Sequence, residues 1–312
     1  DLVCEVPEQF LKREGISKGA MNLVSMERSN NILKIVRPIK ETAGGSAANT
    51  ISTLAKLGLK TGYIGKIADD PKGKVFKKDL IDSSIFYNTK FLDRSNTEAT
   101  GKCIVLITPD KERTMNTYLG ATEFLTEIDI DEELIAHGEW LYLEGYRFDG
   151  QKSKEAFYKA IEIAKRNKTK IAITLSDKFC VDRYRSDFID LLNSSADMVF
   201  CNEAELKSLF QVGDIRKAQS FIADTISCLA CTCAERGAYL FQGSSIREIS
   251  TDEVNVIDTT GAGDNFAAGF LYGLAQNFTL EKCATFGNLI AAEVLKVYGP
   301  RIEKSLKNLI AN

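Results

Sequence analysis

The apolar positions of the chain settle into a regular rhythm from residue 140 onward. Short, nearly continuous apolar runs at 140–143, 170–175, 197–201 and 228–233 alternate with stretches at 152–166, 185–194, 203–209 and 215–225, where apolar residues recur every three or four positions. Apolar strands separated by amphipathic helices predict a mainly parallel sheet covered on both faces. Ligands of such sheets sit beyond the carboxyl ends of the strands. The loops after 143, 175, 201 and 233, and the segment 258–264, are therefore where chemistry is expected. The last third predicts helices over 262–276 and 279–296 and a short amphipathic helix from about Glu303. Earlier in the chain, 102–107 and 113–119 read as two strands about the turn Pro109-Asp110-Lys111-Glu112, and Thr61 to Gly65 reads as another. Pro71 opens a helix. Residues 2–41 read as polar and irregular, apart from an amphipathic piece around Phe10 to Glu14.

Two glycine-rich segments run into helices. In Asp258-Thr259-Thr260-Gly261-Ala262-Gly263-Asp264 the glycines precede a pattern with Phe266, Phe270, Leu271 and Leu274 along one side. A loop of this kind leaves backbone N–H groups at a helix N-terminus open to an anion, with no bulky side chain in the way. Asp264 falls in the first turn, beside that anion, where a carboxylate is awkward unless it accepts a proton from an attacking hydroxyl. The plain alternative is an ordinary helix start, with Asp264 favoured by the helix dipole. The second segment, Ala43-Gly44-Gly45-Ser46-Ala47-Ala48-Asn49, leads into a helix bearing Ile51, Leu54, Ala55 and Leu57 and ending at Gly58. Its paired glycines permit close approach of a ligand, and Asn49 offers both a donor and an acceptor. Asn202 and Glu205, three apart at another helix start, share a face.

Composition narrows the classes. A hydrophobic share of 44% with 27% charged residues is that of a globular chain with ample core, and a net charge of −3 gives no footprint for nucleic acid. No run approaches the ~18 apolar residues of a membrane span. Nothing near Asp1 resembles the remains of a signal peptide, and a cytoplasmic location is the expectation. The eight cysteines are scattered, several within apolar runs, as small core residues would be. Cys228, Cys231 and Cys233 cluster without the second pair that a zinc site needs. His137, the single histidine, lies outside every motif.

The 258–264 string resembles the second signature of the ribokinase-like (PfkB) family of sugar and nucleoside kinases, Asp-Thr-x-Gly-Ala-Gly-Asp. Residues 44–49 resemble the first, Gly-Gly-x-x-x-Asn, and Ala43 to Ser46 matches the Ala-Gly-Gly-Ser of adenosine kinases. Asn202 to Glu205 is similar to the family's Asn-x-x-Glu, and Thr232 to Gly237 to its Thr-x-Gly-x-x-Gly, with Ala234 in place of the middle glycine. Thr100 to Cys103 and Thr174 to Asp177 look most like adenosine kinases. The resemblance covers the chain from Asp1 to about Pro300.

It implies a three-layer α/β domain with a mainly parallel sheet, over 43–89 and 121–312, and a small β lid from 5–42 and 90–120. The first strand of the family fold would precede Asp1. The implied reaction moves the γ-phosphoryl of ATP to a primary hydroxyl, the 5′-hydroxyl of an adenosine-like ribonucleoside. Asp264 would be the base, the amides of Gly261, Ala262 and Gly263 the anion hole, and Arg113 an arginine brought to the transferring phosphate. Asp1, Gly44, Gly45, Ser46 and Asn49 would hold the sugar, and Cys103, Met115, Thr117, Leu119 and Tyr146 would line the acceptor pocket. The nucleotide side would be Asn202, Glu205, Thr232, Gly237, Thr260 and Asn288, with Glu205 acting on Mg²⁺ through water. A monovalent cation beside Asp258, Thr260 and the 297–300 loop is typical of the family. Gly299-Pro300-Arg301 departs from the usual Gly-Ala-x-Pro, so potassium stays an open option. The alternatives are a sugar or sugar-acid kinase, with Arg147 pairing an acidic substrate, and a non-catalytic sensor, which would have no need of Asp264. A glycine-loop dehydrogenase is disfavoured, because no Gly-x-Gly-x-x-Gly follows a first strand. Neither nucleic acid nor membrane is an expected partner; the expected state is a monomer, with a lid-mediated dimer as the alternative.

Overall fold

The computed structural model describes residues 1–223 and 225–310. Position 224, inside the helix expected over 215–225, and positions 311–312 lie outside the described residues. In chain order the strands are β1 Leu2–Glu5, β2 Met21–Leu23, β3 Lys40–Glu41, β4 Lys102–Ile107, β5 Arg113–Tyr118, β6 Trp140–Glu144, β7 Lys170–Thr174, β8 Met198–Asn202, β9 Leu229–Thr232, β10 Ala238–Gln242 and β11 Ser245–Ile249. The α-helices are α1 Glu8–Arg13, α2 Met26–Ile35, α3 Ser46–Lys56, α4 Pro71–Asp82, α5 Glu132–His137, α6 Gln151–Asn167, α7 Lys178–Ser195, α8 Glu203–Phe210, α9 Gln219–Ile222, α10 Ala262–Ala275, α11 Leu280–Val294 and α12 Lys307–Ile310. The chain divides into two compact units: Asp1–Leu125 with Val254–Asn265 and Ala291–Asn312, and Thr126–Glu253 with Phe266–Ile290.

The first unit holds a five-stranded sheet in the order β2-β5-β4-β1-β3. Alternation along β1 and β4 sorts its residues onto two faces. Leu2, Cys4, Ile104 and Leu106 pack with Phe10 and Leu11 of α1 and Ile32 of α2. On the opposite face Val3, Val105 and Ile107 pack with Cys103, Met115 and Tyr298. Residues 2–41 are thus not irregular. β2 and β3 are three and two residues long, too short to show a period, and α2 has a narrow apolar stripe with a Ser25 cap. α3 and α4, expected with the large α/β domain, fall in this unit with the sheet. The strand expected over Thr61 to Gly65 is a single bridge, Gly62 to Phe86, with Phe86 N donating to the Thr61 carbonyl and Tyr63 N to the Phe86 carbonyl. α4 starts where expected, with Pro71 behind an Asp70 cap whose side chain accepts from Gly73 N.

The second unit holds a six-stranded sheet in the order β11-β10-β9-β8-β7-β6. β6 to β9 pair in parallel, as their apolar runs predict, while β10 and β11 form an antiparallel hairpin that the strand–helix rhythm had not revealed. α6 buries Ala156, Phe157, Ala160, Ile161, Ile163 and Ala164, a stripe at helical spacing. The helix expected over 215–225 is a 3₁₀ turn at Ile215–Ala218 followed by the short α9. α10 and α11 approach closely because both are small-residue helices at their crossing: a Cβ on Gly269 would lie 2.8 Å from the Cα of Gly287. Phe270 is fully buried and meets the Phe200 ring edge-on at 5.4 Å. The terminal helix begins at Lys307, later than expected.

Candidate active site

Asp264 sits in the first turn of α10, with its carboxylate gripped from α3. Ser46 Oγ donates to Oδ1 at 2.7 Å and Asn49 Nδ2 donates to Oδ2 at 2.8 Å, across more than two hundred residues of sequence. The reason is the register of α3. Ser46, Asn49, Thr50 and Thr53 recur at three- and four-residue spacing and form a polar face of the helix that is itself largely buried. Thr50 Oγ1 donates to the Asp264 carbonyl at 3.1 Å, and Thr53 Oγ1 to Asn265 Oδ1 at 2.7 Å. Thr50, Thr53 and Asn265 belong to no motif read from the sequence; the polar stripe along α3 was the available signal. Asn49 is buried, and among the described residues its Oδ1 has no hydrogen-bond partner.

The loop before α10 has the open form expected of it. Gly261 takes φ +80° and lies against Pro300, so close that a Cβ would come within 2.7 Å of the proline Cβ. A Cβ on Gly263 would meet nothing within 4 Å. Among the described residues no side chain accepts from the amide of Gly261 or Gly263. Ala262 N reaches only the Thr259 carbonyl, at 3.3 Å. A helix end of this kind presents donors and a positive dipole to an anion. Gly45, at φ +92°, starts α3. Gly44 has its role fixed by Asp1: a Cβ there would fall 2.2 Å from the Asp1 carboxylate. Asp1 precedes β1 on the face that carries Val3, and the register sets Cys103 opposite Thr117, and Val105 opposite Met115. Thr117 Oγ1 donates to Cys103 Sγ at 3.4 Å, and burial pushes the Cys103 thiol pKa up. Leu119, two residues beyond Thr117, starts a 3₁₀ turn. Arg113 pairs with Ile107, four positions from the Thr117 row, and its charge bears on Cys103.

Asp258 is fully buried, and its carboxylate is engaged by the protein. Oδ1 accepts from Thr260 N and Thr260 Oγ1 at 2.8 and 2.6 Å, and Oδ2 from Gly299 N at 2.7 Å. A carboxylate already holding three donors is a poor primary ligand for potassium.

The remaining expected residues lie in the second unit, bonded within it. Asn202 and Glu205 form a capping box at the start of α8: Glu205 N donates to Asn202 Oδ1 at 2.9 Å, and Asn202 N to Glu205 Oε2 at 3.1 Å. The Asn202 amide also donates to Glu205 Oε1. With both oxygens engaged, Glu205 could reach a magnesium ion only through water. Thr232 Oγ1 donates to the Cys201 carbonyl at 3.4 Å. Gly237 has φ +81° and no room for a side chain, since a Cβ would lie 2.1 Å from the Ile249 carbonyl oxygen. Ala234, where the resemblance calls for glycine, has φ +49°. Asn288 Nδ2 donates to the carbonyls of Ile249 and Ser250. The Tyr146 hydroxyl donates to the Ser176 carbonyl at 3.0 Å, and Arg147, considered above for an acidic substrate, pairs with Glu144 at 3.1 Å.

Comparison with known proteins decides the family. The model of the pfkB family carbohydrate kinases matches residues 17–306. The chain belongs to that family. The kinase is 37% identical to the adenosine kinase of Sinorhizobium meliloti, covering 100% of this chain and 95% of that one with a TM-score of 0.96. It is 38% identical to a probable sugar kinase from Rhizobium etli, covering 100% and 94%, again with a TM-score of 0.96. Among curated proteins it is 27% identical over 280 residues to the 5-dehydro-2-deoxygluconokinase of Shouchella clausii, covering 85% of this chain and 86% of that one. It is thus a ribokinase-like α/β phosphotransferase that acts on an alcohol group of a small sugar or nucleoside, and ATP is the donor its family implies. Among the described residues no helix is long and apolar enough to cross a membrane.

Proposed function

We propose that the kinase transfers the γ-phosphoryl of ATP to the 5′-hydroxyl of an adenosine-like ribonucleoside. The observation that carries the chemistry is the Asp264 carboxylate, held by Ser46 and Asn49 one turn from the open amides of Gly261 and Gly263. An acceptor hydroxyl beside Asp264 gives it the O–H proton as oxygen forms its bond to phosphorus and the bond to the ADP oxygen breaks. A carboxylate is a weak base for an alcohol, but a loose transition state delays proton removal until the new bond is well advanced. Charge on the transferred group then falls on the 261–263 amides, which need no reorganisation to receive it. Mg²⁺, arriving with ATP, supplies further charge neutralisation on the phosphates. The free Oδ1 of Asn49 and the Asp1 carboxylate are acceptors suited to vicinal sugar hydroxyls.

The nucleoside is preferred over an acidic sugar because the face carrying Asp1 continues into Val3, Cys103, Met115 and Thr117, a mostly apolar wall suited to a base. Arg147 is engaged by Glu144. A sugar-acid acceptor is the second reading, favoured by Arg113, whose charge bears on that same face. ATP consumption measured with adenosine, other nucleosides, ribose, fructose and sugar acids separates them. Turnover confined to nucleosides is expected, and turnover confined to a sugar acid sinks the nucleoside assignment while leaving the phosphotransfer in place.

A further inference from the structure

The segment Gly299-Pro300-Arg301 closes over the loop that carries Asp264. Gly299 N donates to Asp258, the Pro300 carbonyl accepts from Asn265 Nδ2 at 3.1 Å, and Lys56 Nζ donates to the Ile302 carbonyl. These bonds pin the backbone on both sides of Arg301, whose side chain is only 8% exposed. Among the described residues its Nε and both terminal nitrogens find no hydrogen-bond partner. The carboxylate it pairs with, Asp79 on α4, stands 3.8 Å away and is itself 40% exposed. Burying a guanidinium with its donors unmet is costly, and a partner beyond hydrogen-bond range offsets little of that cost. Lys56 adds a second cation nearby, its pKa lowered by burial and by the charge of Arg301. A fold that places one buried and one half-buried cation beside the open 261–263 amides is prepared for negative charge to arrive there.

We infer that Arg301 is a positioning residue of the transfer step, a fixed positive charge that keeps Asp264 ionised and offsets the negative charge gathering over the 261–263 amides. This rests on the phosphotransfer reading above. The groups facing Arg301 are the Asp1 amino group, Lys56 from α3, Tyr63 from the loop that follows, Asp79 from α4 and Asp264 from α10. Burial draws the arginine pKa down, while the charges of Asp79, Tyr63 and Asp264 draw it back up. Asp1 is the other carboxylate of the site.

Arg301→Met keeps an unbranched apolar stem and removes the charge. We expect kcat to fall by roughly tenfold or more, since an electrostatic contributor is lost. The acid limb of kcat/KM should move up by about one pH unit, because a carboxylate deprived of a nearby cation ionises less readily. Arg301→Lys should return the limb towards its original position. Arg301→Gln gives the same reading if the methionine variant does not fold. Asp79→Asn should leave both kcat and the limb in place, which a merely structural Arg301–Asp79 tie would not allow. Uncharged Arg301 variants with unaltered kcat and acid limb, or an Asp79→Asn enzyme that reproduces the whole loss, overturn the inference while the wild type stays active. A wild type inert towards every acceptor overturns the phosphotransfer reading, and this inference with it.

Discussion

The two units use motif residues in opposite ways. In the first, the polar side chains of the glycine-rich segments reach across the fold to one another: Ser46 and Asn49 hold Asp264, and Asp1 fills the space left by Gly44. In the second, the corresponding residues are closed on their own neighbourhoods. Glu205 caps the helix it belongs to, Asn288 secures the strand end at 249–250, and Thr232 bonds to the adjacent strand. Long-range pairing of polar groups is what a reacting centre needs, because it fixes side chains that come from distant parts of the chain. Local closure is what a binding loop needs if its backbone is to be the part that meets a ligand.

The largest effect should come from the centre of the first arrangement. Asp264→Asn keeps a hydrogen-bonding group next to Ser46 and Asn49 but discards the base, and should cost on the order of 10²–10⁴-fold in kcat. Acceptor binding, followed by calorimetry, should persist. Near-normal turnover would mean that the carboxylate takes no proton. Gly44→Ala comes next. Its new methyl would occupy the place of the Asp1 carboxylate, which can swing away only by giving up its position. Loss of one charge-assisted contact predicts a rise in acceptor KM of about 10- to 100-fold with little change in Tm. A variant with an unchanged KM would show that Asp1 holds nothing. Gly261→Ala would be a poorer test, since its strain falls on the backbone of Pro300 as well as on φ.

Glu205→Gln probes the second unit. Glutamine can keep the reciprocal bonds of a capping box, so stability should fall by no more than about 1 kcal/mol, read by denaturant unfolding. If the carboxylate only caps, kcat should change less than about threefold, within the effect of so small a stability change. A large loss of kcat at full stability would place Glu205 in the chemistry, through water or metal, and would erase the contrast drawn between the units.

How much of this was readable beforehand follows from how local each signal is. The 258–264 string and the 44–49 segment announce themselves because glycines, hydroxyls and acids fall at fixed spacing in a few residues. The parallel strands β6 to β9 were legible for the same reason, each being an apolar run with a helix after it. Thr50 and Thr53 were not, because a threonine within a helix looks like any other until its face is known to be buried. Arg301 appeared only as a departure from a motif, since neither its burial nor its missing bonds have any sequence signature. β2 and β3, three and two residues long, carry no period at all. The capping box at Asn202 and Glu205 was visible as spacing, but spacing cannot say whether an acid faces its own helix or a ligand.

The smallest expected effect concerns Ala234, the one position where a motif of the second unit is broken. Its φ of +49° lies in the left-handed region, where an L side chain is disfavoured and glycine is at ease. Ala234→Gly relieves that strain but also enlarges the freedom of the unfolded chain, and the two partly cancel. Where φ is positive the strain term is the larger, so the variant should be more stable by about 0.5–1 kcal/mol. A chain of this size would show that as a rise of roughly 1–2 °C in Tm. If the 232–237 backbone also meets the nucleotide, removing the methyl should lower the KM for ATP and leave kcat unchanged. A gain in stability with no change in KM would assign the turn to folding alone, and a loss of stability would show that the alanine methyl makes contacts worth more than the strain it imposes.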